Sequence, residues 1–297
     1  MKYTVQSQTP VMAGPGYLRC VTGIQLNPPS PSADPHPAIP ETPPLPADPV
    51  GQYFASNGGR IWYARWDSDS PEKRVPVLLL HGGLMNSDYF GALIPVLLAH
   101  HYTVIAMDSR GQGRSSYAGG PITYQLMEQD VLALLGVLHI PTVSLVGWSD
   151  GGIIGIELAI SHPDRLQRLF AFGANTYPSG NIENADSLPT VVAHAALEAS
   201  EYRTLSPHPE RWPQVRAAIT HMWGSLPQIT TAQLNSIRIP TTIAAGQYDE
   251  FIKPEHTRYI TAQIPGASLV ILPNSSHFAM IQEPEAFSRA VLEFLAR

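Results

Sequence analysis

The chain has 297 residues, 44% of them hydrophobic, and a formal net charge of −6 at pH 7, which suits one large core in a single α/β domain. The acidic balance disfavours a nucleic-acid partner, because phosphate binding calls for a basic face, and no apolar run reaches the length of a membrane span. One cysteine, Cys20, excludes an internal disulfide, and no His, Cys, Asp or Glu cluster has metal-ligand spacing.

Taken in chain order, Met1 to Asn27 lacks the basic start and continuous apolar stretch of a secretory signal, so a cytoplasmic location is expected. Met1 to Leu26 has some β-like alternation, suited to an edge strand or to a second subunit, and leaves a homo-oligomer open. From Pro28 to Pro49 proline recurs every two or three residues, which blocks helix and sheet pairing and favours an extended path. Residues 1–49 are therefore read as an extension with a proline-rich arm, a strap or spacer rather than a ligand for a proline-reading module.

Gln52-Tyr53-Phe54 and Arg60 to Trp66 flank Asn57-Gly58-Gly59, a hairpin signal. The strand-like run Val75 to Leu80 leads into His81-Gly82-Gly83-Leu84, and Tyr102 to Met107 leads into Asp108-Ser109-Arg110-Gly111-Gln112-Gly113-Arg114-Ser115. Val143 to Val146 enters Gly147-Trp148-Ser149-Asp150-Gly151-Gly152, and a helix-like run follows from Ile153 to Ser161. A G-x-S-x-G turn between strand and helix strains the serine backbone and lifts its hydroxyl clear, so Ser149 is the candidate nucleophile. Strand alternation stops between Tyr177 and about Ser236, where helix-like stretches run from Pro189 to Leu205 and from Pro209 to Met222. It resumes with Thr241 to Ala245, followed by Asp249, and with Ser268 to Leu272, followed by His277 and a helix from Pro284.

A serine hydroxyl needs a base to take its proton, and that base needs a carboxylate to hold its tautomer and stabilise its charged form. Groups at the carboxyl ends of parallel strands converge on one crevice, which selects His277 as the base and Asp249 as the acid, with Glu250 as the rival acid. His100, His101 and His162 stand at helix ends, and His81 ends a buried strand, so these are read as structural. The backbone donors expected for an oxyanion are the N–H of Asp150, after the nucleophile, and that of Gly83, with Leu84 next. A carboxylate at Asp150 is suited either to pairing with a cationic substrate group or to stabilising the helix start with its side chain turned away.

These motifs, in the order Ser149, Asp249, His277, resemble the α/β-hydrolase family from about Val50 onward. The Asp108 loop is similar to that family's D-x-R-G-x-G-x-S element and is read as structural. Gly147 to Ile153 and Gly173-Ala174-Asn175 resemble the biphenyl-hydrolase-like group, which includes valacyclovirase-type esterases. The resemblance implies a mostly parallel eight-stranded sheet with helices on both faces, residues 50–176 and 237–297 forming the core. It implies a helical cap at 177–236, after the sixth strand. Trp148, Asp150, Trp212, Met222 and Trp223 are then the expected substrate contacts, with part of the cap residues packing instead. The reaction implied is hydrolysis of a small-molecule carboxylic ester or lactone through an acyl-enzyme on Ser149, without a cofactor. A carbon–carbon bond hydrolase and a cofactor-free perhydrolase share the triad, while serine at the elbow disfavours the epoxide-hydrolase and haloalkane-dehalogenase branches. A non-catalytic binding protein on the same scaffold is the alternative of another class.

Overall fold

The computed structural model describes residues 37–47, 50–70 and 74–297. The alternating stretch up to Leu26, Cys20 and the remainder of the proline-rich arm lie outside the described residues. The first two strands, β1 (Gln52–Ser56) and β2 (Gly59–Trp66), pair antiparallel through a turn in which Asn57 and Gly58 both have positive φ, 44° and 74°. That is the I′ geometry the Asn-Gly pair favours.

Six further strands follow: β3 (Val77–Leu80), β4 (Val104–Met107), β5 (Val143–Trp148), β6 (Leu166–Phe172), β7 (Thr241–Gly246) and β8 (Ser268–Leu272). Their order in the sheet is β1-β2-β4-β3-β5-β6-β7-β8; β2 meets β4 antiparallel, and every pair from β4 to β8 is parallel. The inner strands β3, β4, β5 and β7 are buried at every position, as expected where helices cover both faces. Edge strand β8 alternates instead, with Leu269 and Ile271 half-exposed.

Period-two alternation splits the core into two layers. Leu78, Leu80, Ile105, Met107 and Leu145 face one side, where α2 (Tyr124–Val137) and α3 (Asp150–Ser161) pack with Met127, Val131, Ile154 and Leu158. Val77, Leu79, Val104, Ala106, Val146 and Phe170 face the other, covered by α1 (Leu93–Ala99) and, at the chain's end, by α9 (Pro284–Leu295). Phe287, Val291 and Phe294 recur at i, i+4 and i+7 on α9, the spacing of one helix face.

Between β6 and β7 lie α4 (Pro189–Leu205), α5 (Trp212–Trp223) and the one-turn α6 (Thr231–Leu234). The stretch from Pro209 breaks into a 3₁₀ turn, Pro209–Arg211, before α5 starts at Trp212, because Pro213 cannot donate within the first helical turn. After β7 come α7 (Pro254–Gln263) and α8 (Ala279–Gln282). No helix among the described residues is long and apolar enough to cross a membrane.

The described part of the arm, residues 37–47, runs over the domain. Gln282 Nε2 donates to the Pro37 carbonyl at 3.1 Å, Thr42 Oγ1 donates to Glu201 Oε1 at 2.5 Å, and Ile39 and Leu45 pack on the α1 and α9 side of the core. Glu201 also accepts from Asn86 Nδ2 at 2.9 Å, so one carboxylate of α4 joins the arm to the loop after β3.

The closest backbone approach in the sheet is where α3 starts. A Cβ on Gly151 would collide with the Leu80 carbonyl of β3, and one on Gly147 with the Gly151 backbone. Gly151→Ala is expected to cost about 2 kcal/mol, since the obstacle is backbone that cannot rotate away. Thermal unfolding should show a midpoint lowered by about 5 °C.

Candidate active site

Ser149 sits between β5 and α3 with φ 52° and ψ −117°, a region that costs a non-glycine residue about 1–3 kcal/mol. Its N–H donates to the Phe172 carbonyl at 2.8 Å, its carbonyl accepts from Ile153 N at 2.9 Å, and Gly151 N donates to the His81 carbonyl at 3.1 Å. The strained backbone is thus held from β6, from α3 and from the end of β3. Ser149 lines a cavity of about 250 Å³ together with Gly83, His277, Phe251 and Phe278.

His277 is buried, and its Nδ1 lies 3.0 Å from both carboxylate oxygens of Asp249. Asp249 Oδ1 also accepts from the backbone N–H of Phe251 and Ile252 at 3.0 and 2.9 Å, which fixes the direction of the carboxylate. The pairing places the proton on Nδ1 and leaves Nε2 as the basic nitrogen. Burial acts to lower the His277 pKa, but the charge and hydrogen bond of Asp249, with the charges of Glu250 and Asp150, hold it above its ordinary 6.5. Phe251 packs its ring edge-on at 4.9 Å. Ser149 and His277 share the cavity without a hydrogen bond between them among the described residues.

Glu250, the rival acid, does not reach the imidazole ring. Fully buried, it accepts from the His277 backbone N–H at 2.9 Å and from Ser276 Oγ at 3.1 Å, so it positions the loop that carries the histidine. Burial raises its pKa, and the charge of His277 opposes that rise.

In the loop after β3, the Gly83 N–H has no partner among the described residues, and neither has the Asp150 N–H at the start of α3. Leu84 must be corrected as a donor, because its N–H is taken by the Gln112 side chain. His81 is structural: Nδ1 donates to the Gly82 carbonyl at 2.7 Å and Nε2 accepts from Ser109 N at 2.9 Å. Burial lowers its pKa, consistent with a neutral ring. The Asp108 loop is a brace. Asp108 accepts from the backbone N–H of Ser87 and Arg114, both at 2.8 Å, and Arg110 makes a bidentate pair with buried Asp130 of α2.

Asp150 does not turn away from the cavity; it lines it. Its Oδ1 accepts from Tyr124 Oη at 2.8 Å and from Trp223 Nε1 at 2.9 Å. Burial pushes its pKa up to about 6, partly offset by those two donors and by the charge of His277. Trp148 and Trp223 line the cavity, but Trp212 and Met222 do not. Trp212 stacks on Tyr202 at 5.1 Å, and Met222 is buried with Val215 and Ile219. The rotation of α5 spends both on packing the insertion and leaves Trp223 at the cavity. Sequence reasoning missed Tyr124, Phe251, Glu198 and Arg216, which no local motif marks, and the contact of Gln112, which lies in the Asp108 loop; each reaches the site only through the fold.

The strand order, the strained serine between β5 and α3, and the converging histidine and carboxylate define a hydrolase scaffold. Residues 77–290 match the alpha/beta hydrolase family, and the chain belongs to it. Among its relatives, the putative carbamate hydrolase RutD of Caulobacter sp. strain K31 is 28% identical, over 76% of this chain and 92% of its own length. Human serine hydrolase BPHL is 25% identical, over 81% of this chain and 84% of its own. The enol-lactonase structure from Burkholderia xenovorans LB400 has 23% identity and a TM-score of 0.66, covering 83% of this chain and 100% of that one, a likeness of fold.

Because Tyr124 donates to the ionised form of Asp150, Tyr124→Phe should raise the Asp150 pKa further above about 6. Titration of the Asp150 carboxyl carbon by NMR reads the shift directly; a lower or unchanged value would contradict the hydrogen-bond account.

Proposed function

We propose that this protein hydrolyses a carboxylic ester or lactone of a small molecule by acyl transfer through Ser149. One observation carries the reading: a strained serine shares one cavity with a histidine whose Nδ1 is held at 3.0 Å by a buried carboxylate. In the first half-reaction His277 Nε2 takes the Ser149 proton as Oγ attacks the acyl carbon, and the N–H groups of Gly83 and Asp150 receive the oxyanion. The imidazolium, stabilised by Asp249, protonates the departing alcohol. Water activated by the same nitrogen then releases the acid. The α4 and α5 insertion acts as a cap, contributing Val191, Ala195 and Trp223 to the cavity wall. Its size suits a small substrate. The same sequence of steps applies to a carbamate, the bond named for the Caulobacter relative.

A second reading narrows the acyl group. A buried carboxylate at Asp150, lining the cavity one residue from the nucleophile, suits an aminoacyl ester whose ammonium it pairs with. A matched pair of esters with and without a free α-amino group tests this. Preference for the aminoacyl ester should be lost in Asp150→Asn, and an unchanged preference would remove the reading.

A fluorophosphonate probe should label Ser149, identified by mass spectrometry, and Ser149→Ala should lower ester turnover by about 10⁴-fold or more. A folded protein that takes no label would point to the non-catalytic alternative. Since His277 must be neutral to act as base, kcat/KM should fall as pH drops through a pKa above 6.5. Glu250→Gln removes a charge that raises this pKa, so the acid limb of the pH profile should move to lower pH.

A further inference from the structure

Asp186, Glu198 and Arg216 are the charged residues of the insertion that line the cavity holding Ser149, and the acyl-transfer steps use none of them. Glu198 is half-buried on α4, and Arg216 is exposed on α5; both line the cavity wall. Arg216 is near enough to act on the Glu198 charge, yet among the described residues they make no hydrogen bond or ion pair with each other or with any other group. Opposite charges on α4 and α5 thus line one cavity without pairing directly. The core contributes the apolar Leu84, Met85, Trp148 and Phe278 to the lining, together with the polar Asp150, Asn175 and His277, and the insertion adds charged groups on helices that do not carry the triad.

We infer that Glu198 and Arg216 form a subsite for a neutral carboxamide-type group, –CO–NH–, at the end of the substrate remote from the scissile bond. The carboxyl accepts the N–H, and the guanidinium donates to the carbonyl oxygen. The same pair discriminates against simple ions, since Arg216 repels an ammonium and Glu198 repels a carboxylate, each destabilising the wrong end group. Burial pushes the Glu198 pKa up to about 7, with Arg216 opposing and Glu201 adding to the rise. At neutral pH the carboxyl is therefore uncharged in part of the population, which favours a neutral partner over a cation. A primary amide, carbamate or ureido terminus presents its donor and acceptor side by side, as the two helices do. This subsite rests on the acyl-transfer reading for the orientation of its ligand, but its binding is measurable without turnover.

The test uses the full chain carrying Ser149→Ala and isothermal calorimetry with two series of small esters. One series bears the terminal carboxamide on the acyl side and the other on the alcohol side, each compared with an isosteric branched alkyl terminus and with ammonium and carboxylate termini. In one series the carboxamide should bind about tenfold more tightly than the alkyl isostere, as expected for charge-assisted hydrogen bonds at a partly exposed site. Adding Glu198→Leu or Arg216→Met should reduce that preference to about twofold or less, with thermal unfolding used to confirm that each variant is folded. Equal affinity of the carboxamide and alkyl termini in both series, a preference that survives both substitutions, or tighter binding of either ionic terminus in protein that also carries Asp150→Asn would overturn the subsite. Turnover of the same esters by the protein with Ser149 intact reads the hydrolase reaction separately, so failure of the reaction and failure of the subsite give different results.

Discussion

Backbone contact at the start of α3 is the constraint on which the site depends. Gly151 lies against the Leu80 carbonyl and Gly147 against Gly151, so β3, β5 and α3 meet with no side chain between them. That approach leaves no alternative path for the intervening turn, and Ser149 is held at φ 52° by hydrogen bonds from three directions. A residue in so sparsely populated a region persists only where its surroundings over-determine it. The same contact brings the loop after β3 beside the serine, because Gly151 N donates to the His81 carbonyl. Gly83 in that loop lies beside the Asp150 carboxylate, whose Oδ2 a Cβ on Gly83 would meet.

Around this point the buried carboxylates divide by the donors they receive. Asp249 takes two backbone N–H groups and an imidazole, and Asp108 takes two backbone N–H groups and Arg114. Asp150 receives the neutral donors Tyr124 and Trp223, and burial raises its pKa to about 6. Asp150 and Glu201 also join elements distant in sequence: Asp150 connects the elbow to Trp223 at the end of α5, and Glu201 connects α4 to Asn86 and to Thr42 of the arm. The insertion is thus fastened over the cavity by hydrogen bonds to the core as well as by the packing of Trp212, Val215 and Met222.

Glu250 and Asp249 show how neighbouring acids separate in role. They are adjacent in sequence, and both carboxylates are buried around the same histidine. Asp249 reaches the ring while Glu250 reaches the backbone N–H, because their side chains leave the turn in different directions. Spacing alone could propose both and rank them only by side-chain length; the turn after β7 decides between them.

The local signals were legible in the chain because each is produced by a short stretch: the Asn57-Gly58 turn, the glycine-flanked serine, the apolar runs of the inner strands and the loops that follow them. The eight-stranded sheet was implied by the resemblance of these motifs to the α/β-hydrolase family. Contacts made across the fold were not legible in this way. Gln112 captures the Leu84 N–H, Tyr124 reaches Asp150 from α2, and the rotation of α5 turns Trp223 toward the cavity while Trp212 and Met222 turn into the packing. Periodicity assigns residues to a helix face, but which face meets a cavity is set by the partners that helix packs against. Sequence by itself therefore determined the strands, the elbow and the candidate groups at the strand ends. Tertiary structure decided which of those groups touch, because hydrogen bonds and burial depend on distances between segments that no local pattern encodes.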